Sequence, residues 1–270
     1  MRKFAVARFG MKGFYSLTIV GITAAAIALA VSAQAQTVYD GNGATGFGGP
    51  VGLGNLTISD TPTSMTVTFN LGSGTMDNDL VVYLDTTSGG FSDTSQFMDG
   101  GYGDGGRTAI SGYNNGNGPS QTIATFPGGY PMQYAISIEN DFIGVFGLAA
   151  GGQNSLNYLF GASQSGIDTG PSYSITMTAA QMSQIGLTAD SGQTFYFVGS
   201  LISESAYRAN ETIGASSTVP SDGSTPNAGF NGTQTFSSPL SYTLVPEPSS
   251  IALVVVGLLG AIGMIRRRKA

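Results

Sequence analysis

Cysteine, histidine and tryptophan are all missing from this 270-residue chain, and each absence removes a class of chemistry. Without cysteine there is no disulfide framework and no thiolate metal site. Without histidine there is no Ser-His-Asp or Cys-His catalysis, no imidazole-bound zinc and no ordinary general base near neutral pH. Without tryptophan the strongest aromatic platform for a sugar ring is gone. Positive charge is scarce as well. Between Gln36 and Val245 only Arg107 and Arg208 are cationic, against fifteen Asp and Glu, so that stretch has a formal charge of −13 where the whole chain has −6. Phosphate polymers and anionic lipid head groups are repelled by such a stretch, which excludes nucleic acid as a partner.

The other cations sit at the two ends. Arg2, Lys3, Arg8 and Lys12 precede an apolar run from Leu17 to Val31, and Ala33-Gln34-Ala35 follows it directly. A cationic start, an apolar core and small residues at −3 and −1 read as a secretory signal peptide, cut by signal peptidase between Ala35 and Gln36. At the far end Val245-Pro246-Glu247-Pro248-Ser249-Ser250 leads into the apolar run Ile251 to Ile265 and then Arg266-Arg267-Arg268-Lys269. That run, as a helix rising ~1.5 Å per residue, reaches only about 22 Å, short of a ~30 Å hydrocarbon core. It predicts a marginal transmembrane helix, held transiently in the inner membrane with its basic cluster on the cytoplasmic side.

Pro-Glu-Pro, short apolar helix and Arg-rich end, in that order, resemble the PEP-CTERM sorting signal. The resemblance implies recognition by an exosortase, a membrane-embedded cysteine transpeptidase, and removal of the tail. Pro246, Glu247 and Pro248 match the tripeptide, and Arg266, Arg267, Arg268 and Lys269 match the basic end. The expected organisation is then a signal peptide over 1–35, a passenger domain over 36–245 and a sorting signal over 246–270. Export through the inner membrane of a Gram-negative-type bacterium, ending at the cell surface or in the extracellular matrix, follows from the two ends together.

Glycine, at 41 residues, is about twice its usual ~7% share. Period-two alternation recurs between the glycine-rich stretches. Met65, Val67, Phe69 and Leu71 alternate with polar residues, as do Tyr134, Ile136 and Ile138, then Tyr173, Ile175 and Met177, then Leu240, Tyr242 and Leu244. These predict half-buried strands, while Leu80 to Leu84 and Phe195 to Ile202 predict central ones. Thr178 and Gln181 form a capping box for one short helix, which Gly186 ends in the left-handed region. Gly41 to Gly54, Gly100 to Gly118 and Ser216 to Gly232 read as long loops. The fold class is all-β, an antiparallel two-sheet sandwich or jelly roll. Val82-Tyr83-Leu84-Asp85 with Gly89-Gly90-Phe91 resembles strand-and-turn segments of DOMON-like and family-9-like carbohydrate-binding sandwiches, a fold-level analogy.

Candidate chemistry is sparse. Gly100-Gly101-Tyr102-Gly103-Asp104 falls one residue short of a calcium-binding G-G-x-G-x-D repeat, and Asp93, Asp99 and Asp104 are hard oxygen ligands that suit Ca²⁺; solvated turn aspartates are the plainer reading. Arg107 and Arg208 suit a carboxylate or acidic-sugar clamp, or else each organises a loop by pairing with nearby acids such as Glu211. Tyr102, Tyr113 and Tyr130, in loop-like sequence, offer stacking faces for a sugar. A glycosidase needs a carboxylate pair, and nothing in the sequence singles one out. The expectation is a surface-delivered, non-catalytic protein, structural or adhesive in a biofilm or exopolysaccharide matrix. A carbohydrate-binding module is the alternative, and a carboxylate glycosidase the second.

Overall fold

The computed structural model describes residues 35–246, except 102, 117–118, 164–169 and 222–225. The signal peptide up to Gln34, the tripeptide after Pro246, the apolar run and the basic end lie outside the described residues.

Alternation builds the first sheet. β1 (Ala35–Asp40), β2 (Asn55–Thr61), β3 (Ser64–Asn70) and β11 (Ser172–Thr178) pair antiparallel in that order. Leu56, Ile58, Met65, Val67, Phe69, Tyr173, Ile175 and Met177 point inward and are buried, while the Thr and Ser between them face solvent. On that outer face Thr66 meets Thr176 at 2.9 Å and Thr68 meets Ser174 at 3.0 Å. Alternating β-branched and aromatic residues suit a pleated surface with one wet side.

The second sheet has seven strands. β10 (Asn157–Ser163), β9 (Phe142–Gly147), β8 (Tyr134–Ile138), β4 (Asp79–Asp85), β12 (Thr194–Ile202) and β13 (Arg208–Ile213) follow one another, and β16 (Leu240–Thr243) pairs with β12. Nine-residue β12 presents one edge to β4 and divides the other, Thr194 to Phe197 going to β16 and Gly199 to Ile202 to β13. One core cluster joins the first sheet to one face of the second, through residues such as Leu56, Ile58 and Phe69 on one side and Val82, Ile136 and Phe197 on the other.

The other face of the second sheet is covered too. Val81, Tyr83, Ala135, Phe146 and Val198 pack against Ala109 and Ile110 of α1 (Gly105–Ser111), and against Phe97, Phe126 and Phe236. Phe236 belongs to a small sheet in which β15 (Thr233–Phe236) pairs antiparallel with β14 (Ser216–Val219) and parallel with β7 (Ile123–Thr125). β5 (Tyr113–Asn114) and β6 (Ser120–Gln121) form a two-residue ladder.

This cover corrects two expectations. β8 is buried on both faces, because Ala135 and Ser137 lie beneath the cover. The glycine-rich stretches beginning at Gly100 and Ser216 are not continuous loops, since they hold α1 with β5, and β14. α2 (Ala179–Gln184) forms as its capping box predicts: the Thr178 hydroxyl accepts from the Gln181 amide at 3.3 Å, and Gln181 Oε1 accepts from the Thr178 amide at 2.9 Å. Gly186 follows it at φ 73°, and the Leu187 amide donates back to the Met182 carbonyl at 3.0 Å, a Schellman closure.

Candidate functional site

Two places gather chemistry, the C-terminal junction and a cleft beside α1. The junction is held from both sheets. β16 is paired along β12, and the Leu244 amide donates to the Gln193 carbonyl at 2.9 Å. From the opposite sheet, Asp60 occupies an inward position of β2 and is 2% exposed. Its Oδ1 accepts from the Tyr242 hydroxyl at 2.6 Å, and its Oδ2 accepts from the Val245 amide at 2.9 Å. Burial and this carboxylate push the Tyr242 phenol well up from its ordinary range. The folded domain is therefore tied down as far as Val245, and exposed Pro246 is next. At the other end, β1 begins at Ala35, opposite Asp60. A cut before Gln36 leaves five of its six residues, Gln36 to Asp40, in the sheet.

Arg107 organises the start of α1. Asp104 caps the helix, accepting from the Arg107 amide at 3.0 Å, and also accepts from Arg107 Nε at 3.0 Å. Arg107 Nη1 donates to Asp99 Oδ2 at 2.8 Å and to the Leu156 carbonyl. Asp99 is buried, and it accepts further from the amides of Asn154 at 2.7 Å and Leu156 at 2.9 Å. Asp93 stands apart, its Oδ1 accepting from the Ser95 amide at 2.8 Å. Burial acts to raise the Asp93 carboxyl, but the hydrogen bonds from Ser95 and Ser92 outweigh it and hold the group below its usual range. Among the described residues no group of three or more acid side chains is placed to hold a metal ion. Asp99 and Asp104 meet through the guanidinium between them.

Arg208 does not pair with Glu211, which corrects that expectation. Three residues apart is one face of a helix, but on a strand it means opposite faces, and both residues lie in β13. Arg208, fully buried, turns toward the cover, donating from Nη1 to the Ser200 hydroxyl at 2.7 Å and from Nη2 to the Tyr83 oxygen over a long 3.5 Å. Its Nε has no partner among the described residues. Glu211, also buried, turns the other way. Its Oε1 accepts from the amides of Phe47 at 2.7 Å and Gly49 at 3.0 Å, and its Oε2 from those of Val51 and Gly52, each at 3.0 Å. The glycine-rich stretch from Gly41 to Gly54 is wrapped around one carboxylate.

Of the predicted sugar platforms, the two that are described are each half-buried. Tyr102 lies outside the described residues, half-buried Tyr113 belongs to β5, and half-buried Tyr130 packs on Tyr196 with ring centroids 4.7 Å apart. Arg107 does line a cleft of about 380 Å³, together with Asp104, Glu139, Phe142, Phe146 and Tyr158. Arg107 lies over the Phe146 ring at 5.4 Å, and Tyr158 stands 5.5 Å from Phe146 and 6.3 Å from Phe142 between centroids. Burial, then Glu204, Asp104 and Asp141, push the Glu139 carboxyl up to about 7. Beneath it, Asp79 is 1% exposed with an unpartnered Oδ2, and burial first, then Glu139 and Glu204, hold its carboxyl well above the usual range. The sequence shows the acids but not this grouping, which depends on the β4–β8 register.

These features define a β-rich domain whose last strand is pinned immediately before an exposed Pro246. Residues 244–269 match the PEP-CTERM protein-sorting motif, which the chain therefore carries. The motif implies export and sorting toward the cell surface, with an exosortase as the processing partner. No curated protein and no solved structure matches the chain.

Proposed function

We propose that the chain is an exosortase substrate delivered to the extracellular matrix, where its β-sandwich has a structural or adhesive role and performs no catalysis. The observation that carries this reading is the sorting motif beginning where the folded domain ends, at Leu244 to Pro246. A passenger with a formal charge of −13 stays soluble and resists self-association during export. Two layers of buried core and a carboxylate-anchored loop suit a durable exterior domain. The cleft at Glu139 favours a second reading, a saccharide-binding module.

The test is the fate of the tail in producing cells. Pro248 biases Glu247 away from αR and Pro246 does the same to Val245, keeping the segment extended for attack on a backbone carbonyl. Changing Pro246, Glu247 and Pro248 to Ala should leave full-length protein in the membrane fraction, read by intact mass. A triple variant shortened and released as efficiently as the parent would end the sorting proposal.

A further inference from the structure

The carboxylates beside α1 are crowded by the fold itself. Leu80 faces Ile138 across β4 and β8, and the next residues outward, Asp79 and Glu139, carry like charge on the face that holds Val81 and Ala135. Like charges directly opposite on a sheet destabilise it. α1 sits over them by means of two bare residues. A Cβ on Gly105 would come 2.8 Å from Glu204 Cδ, and one on Gly106 would come 2.4 Å from Glu139 Oε1 and 3.5 Å from Ser137 Oγ. Ser137 Oγ, fully buried beneath the same turn, and Asp79 Oδ2 make no hydrogen bond of ordinary geometry among the described residues, though the Ser137 hydroxyl lies close enough to Asp79 to offset part of the burial that raises it. Glu139 makes no ion pair there either, since the only pairs among the described residues are those of Arg107 with Asp99 and Asp104.

We propose that the cleft binds an amino sugar, with a hexosamine's free ammonium group on Glu139 and the apolar face of its ring on Tyr158. The charges select the ligand. Glu139 faces Asp79 from β4, Glu204 beyond β12, Asp141 in the β8–β9 turn and Asp104 at the head of α1, and the one nearby cation among the described residues, Arg107, is already taken up by Asp99 and Asp104. An anionic sugar is repelled, and a neutral one leaves the crowding unrelieved. Among the described residues no three acids converge as a hard metal ion needs. An ammonium group needs one carboxylate and is favoured further by aromatic faces. Tyr158, 46% exposed and backed by Phe142 and Phe146, presents a flat surface that suits a pyranose better than a lysine side chain.

The proposal rests on the adhesive reading only for where such a sugar is met. Binding is measured on the full chain purified in detergent, so failure of sorting and failure of binding are separate results. Calorimetry would compare a glucosamine pentamer, its N-acetylated counterpart, a glucose pentamer and a pentalysine peptide. The glucosamine pentamer should bind about tenfold more tightly than the other three, a difference that one charged contact can supply. Glu139→Gln should remove that preference while the protein stays folded, and Tyr158→Ala should weaken binding several-fold. Asp40→Asn removes the same charge outside the cleft and should leave binding intact. Binding should fall as pH drops below about 7, where Glu139 takes up its proton. Equal affinity for the amine and its acetylated form, equal affinity for pentalysine, an unchanged preference in Glu139→Gln, an equal loss in Asp40→Asn, or no binding at all would each overturn the assignment.

Discussion

Arg208 and Glu211 are both charged, both fully buried and three residues apart, yet they differ in what surrounds them. Glu211 has four backbone amides within 3.0 Å, and a carboxylate so surrounded is strongly favoured. Removing it leaves three buried donors and one part-buried donor without an acceptor, each buried one worth about 1–3 kcal/mol. Glu211→Ala should therefore lower stability by at least about 3 kcal/mol in a denaturant titration, and a loss under about 1 kcal/mol would refute the anchoring role. Among the described residues Arg208 pairs with no carboxylate, and its two acceptors have other bonds. Ser200 donates to Gln234 Oε1 at 2.5 Å, and Tyr83 donates to the Ile110 carbonyl at 2.7 Å. Burying a guanidinium without an anion is costly, so Arg208→Met should be tolerated within about 1 kcal/mol or stabilise the protein. A loss comparable with that of Glu211→Ala would show that the guanidinium network holds the cover in place.

At the scale of elements, strands were legible and their partners were not. Met65-Thr66-Val67-Thr68-Phe69 reads as a half-buried strand because solvent keeps its hydroxyl face. Tyr134 to Ile138 shows the same alternation, but Ser137 is covered by α1, and a small polar residue under a cover looks no different in sequence from one in water. α1 itself begins Gly-Gly, the poorest helix start among non-proline residues, and forms because Asp104 caps it and Ala109 and Ile110 bury into the second core. Asp60 breaks the apolar run of β2 for a reason visible only across the core, at Tyr242. The carboxylates under α1 set a pH dependence whose sign is fixed. Glu139 titrates near 4.5 when unfolded and about 7 when folded. Between these values the folded chain keeps a proton the unfolded chain has lost, so this contribution is whole below pH 4.5 and is lost as pH rises to 7. Raised Asp79 acts in the same direction. Glu139→Gln should flatten that fall and gain on the order of 1 kcal/mol at pH 8 after allowance for solvent screening. A thermal midpoint at pH 8 equal to that of the parent would show that the carboxylates repel one another too weakly to matter.

For the whole molecule, the consequence that matters is how the domain hands its end to the sorting step. The tripeptide was legible in sequence because its three parts are local; its distance from the folded body was not, because that depends on Asp60 reaching from the other sheet. With Tyr242 and Val245 both bound to Asp60, no slack separates the domain from Pro246. A processing enzyme that attacks near Pro246 must therefore work against the edge of the folded β domain, beside Gly192, whose added Cβ would come 3.2 Å from the Pro246 ring. Two changes separate access from stability. A Gly-Ser linker of about eight residues between Val245 and Pro246 adds reach at a small entropic cost and leaves the domain alone. Asp60→Asn frees the end but deprives one of its two donors, the buried Tyr242 hydroxyl or the part-buried Val245 amide, of its acceptor, at about 1–3 kcal/mol. In a pulse-chase, both should shorten the time to the processed form, while only Asp60→Asn lowers the denaturation midpoint. Slower processing with the linker would mean that the pinned end presents the tripeptide and does not hinder it; unchanged kinetics in both would place the limiting step away from this junction.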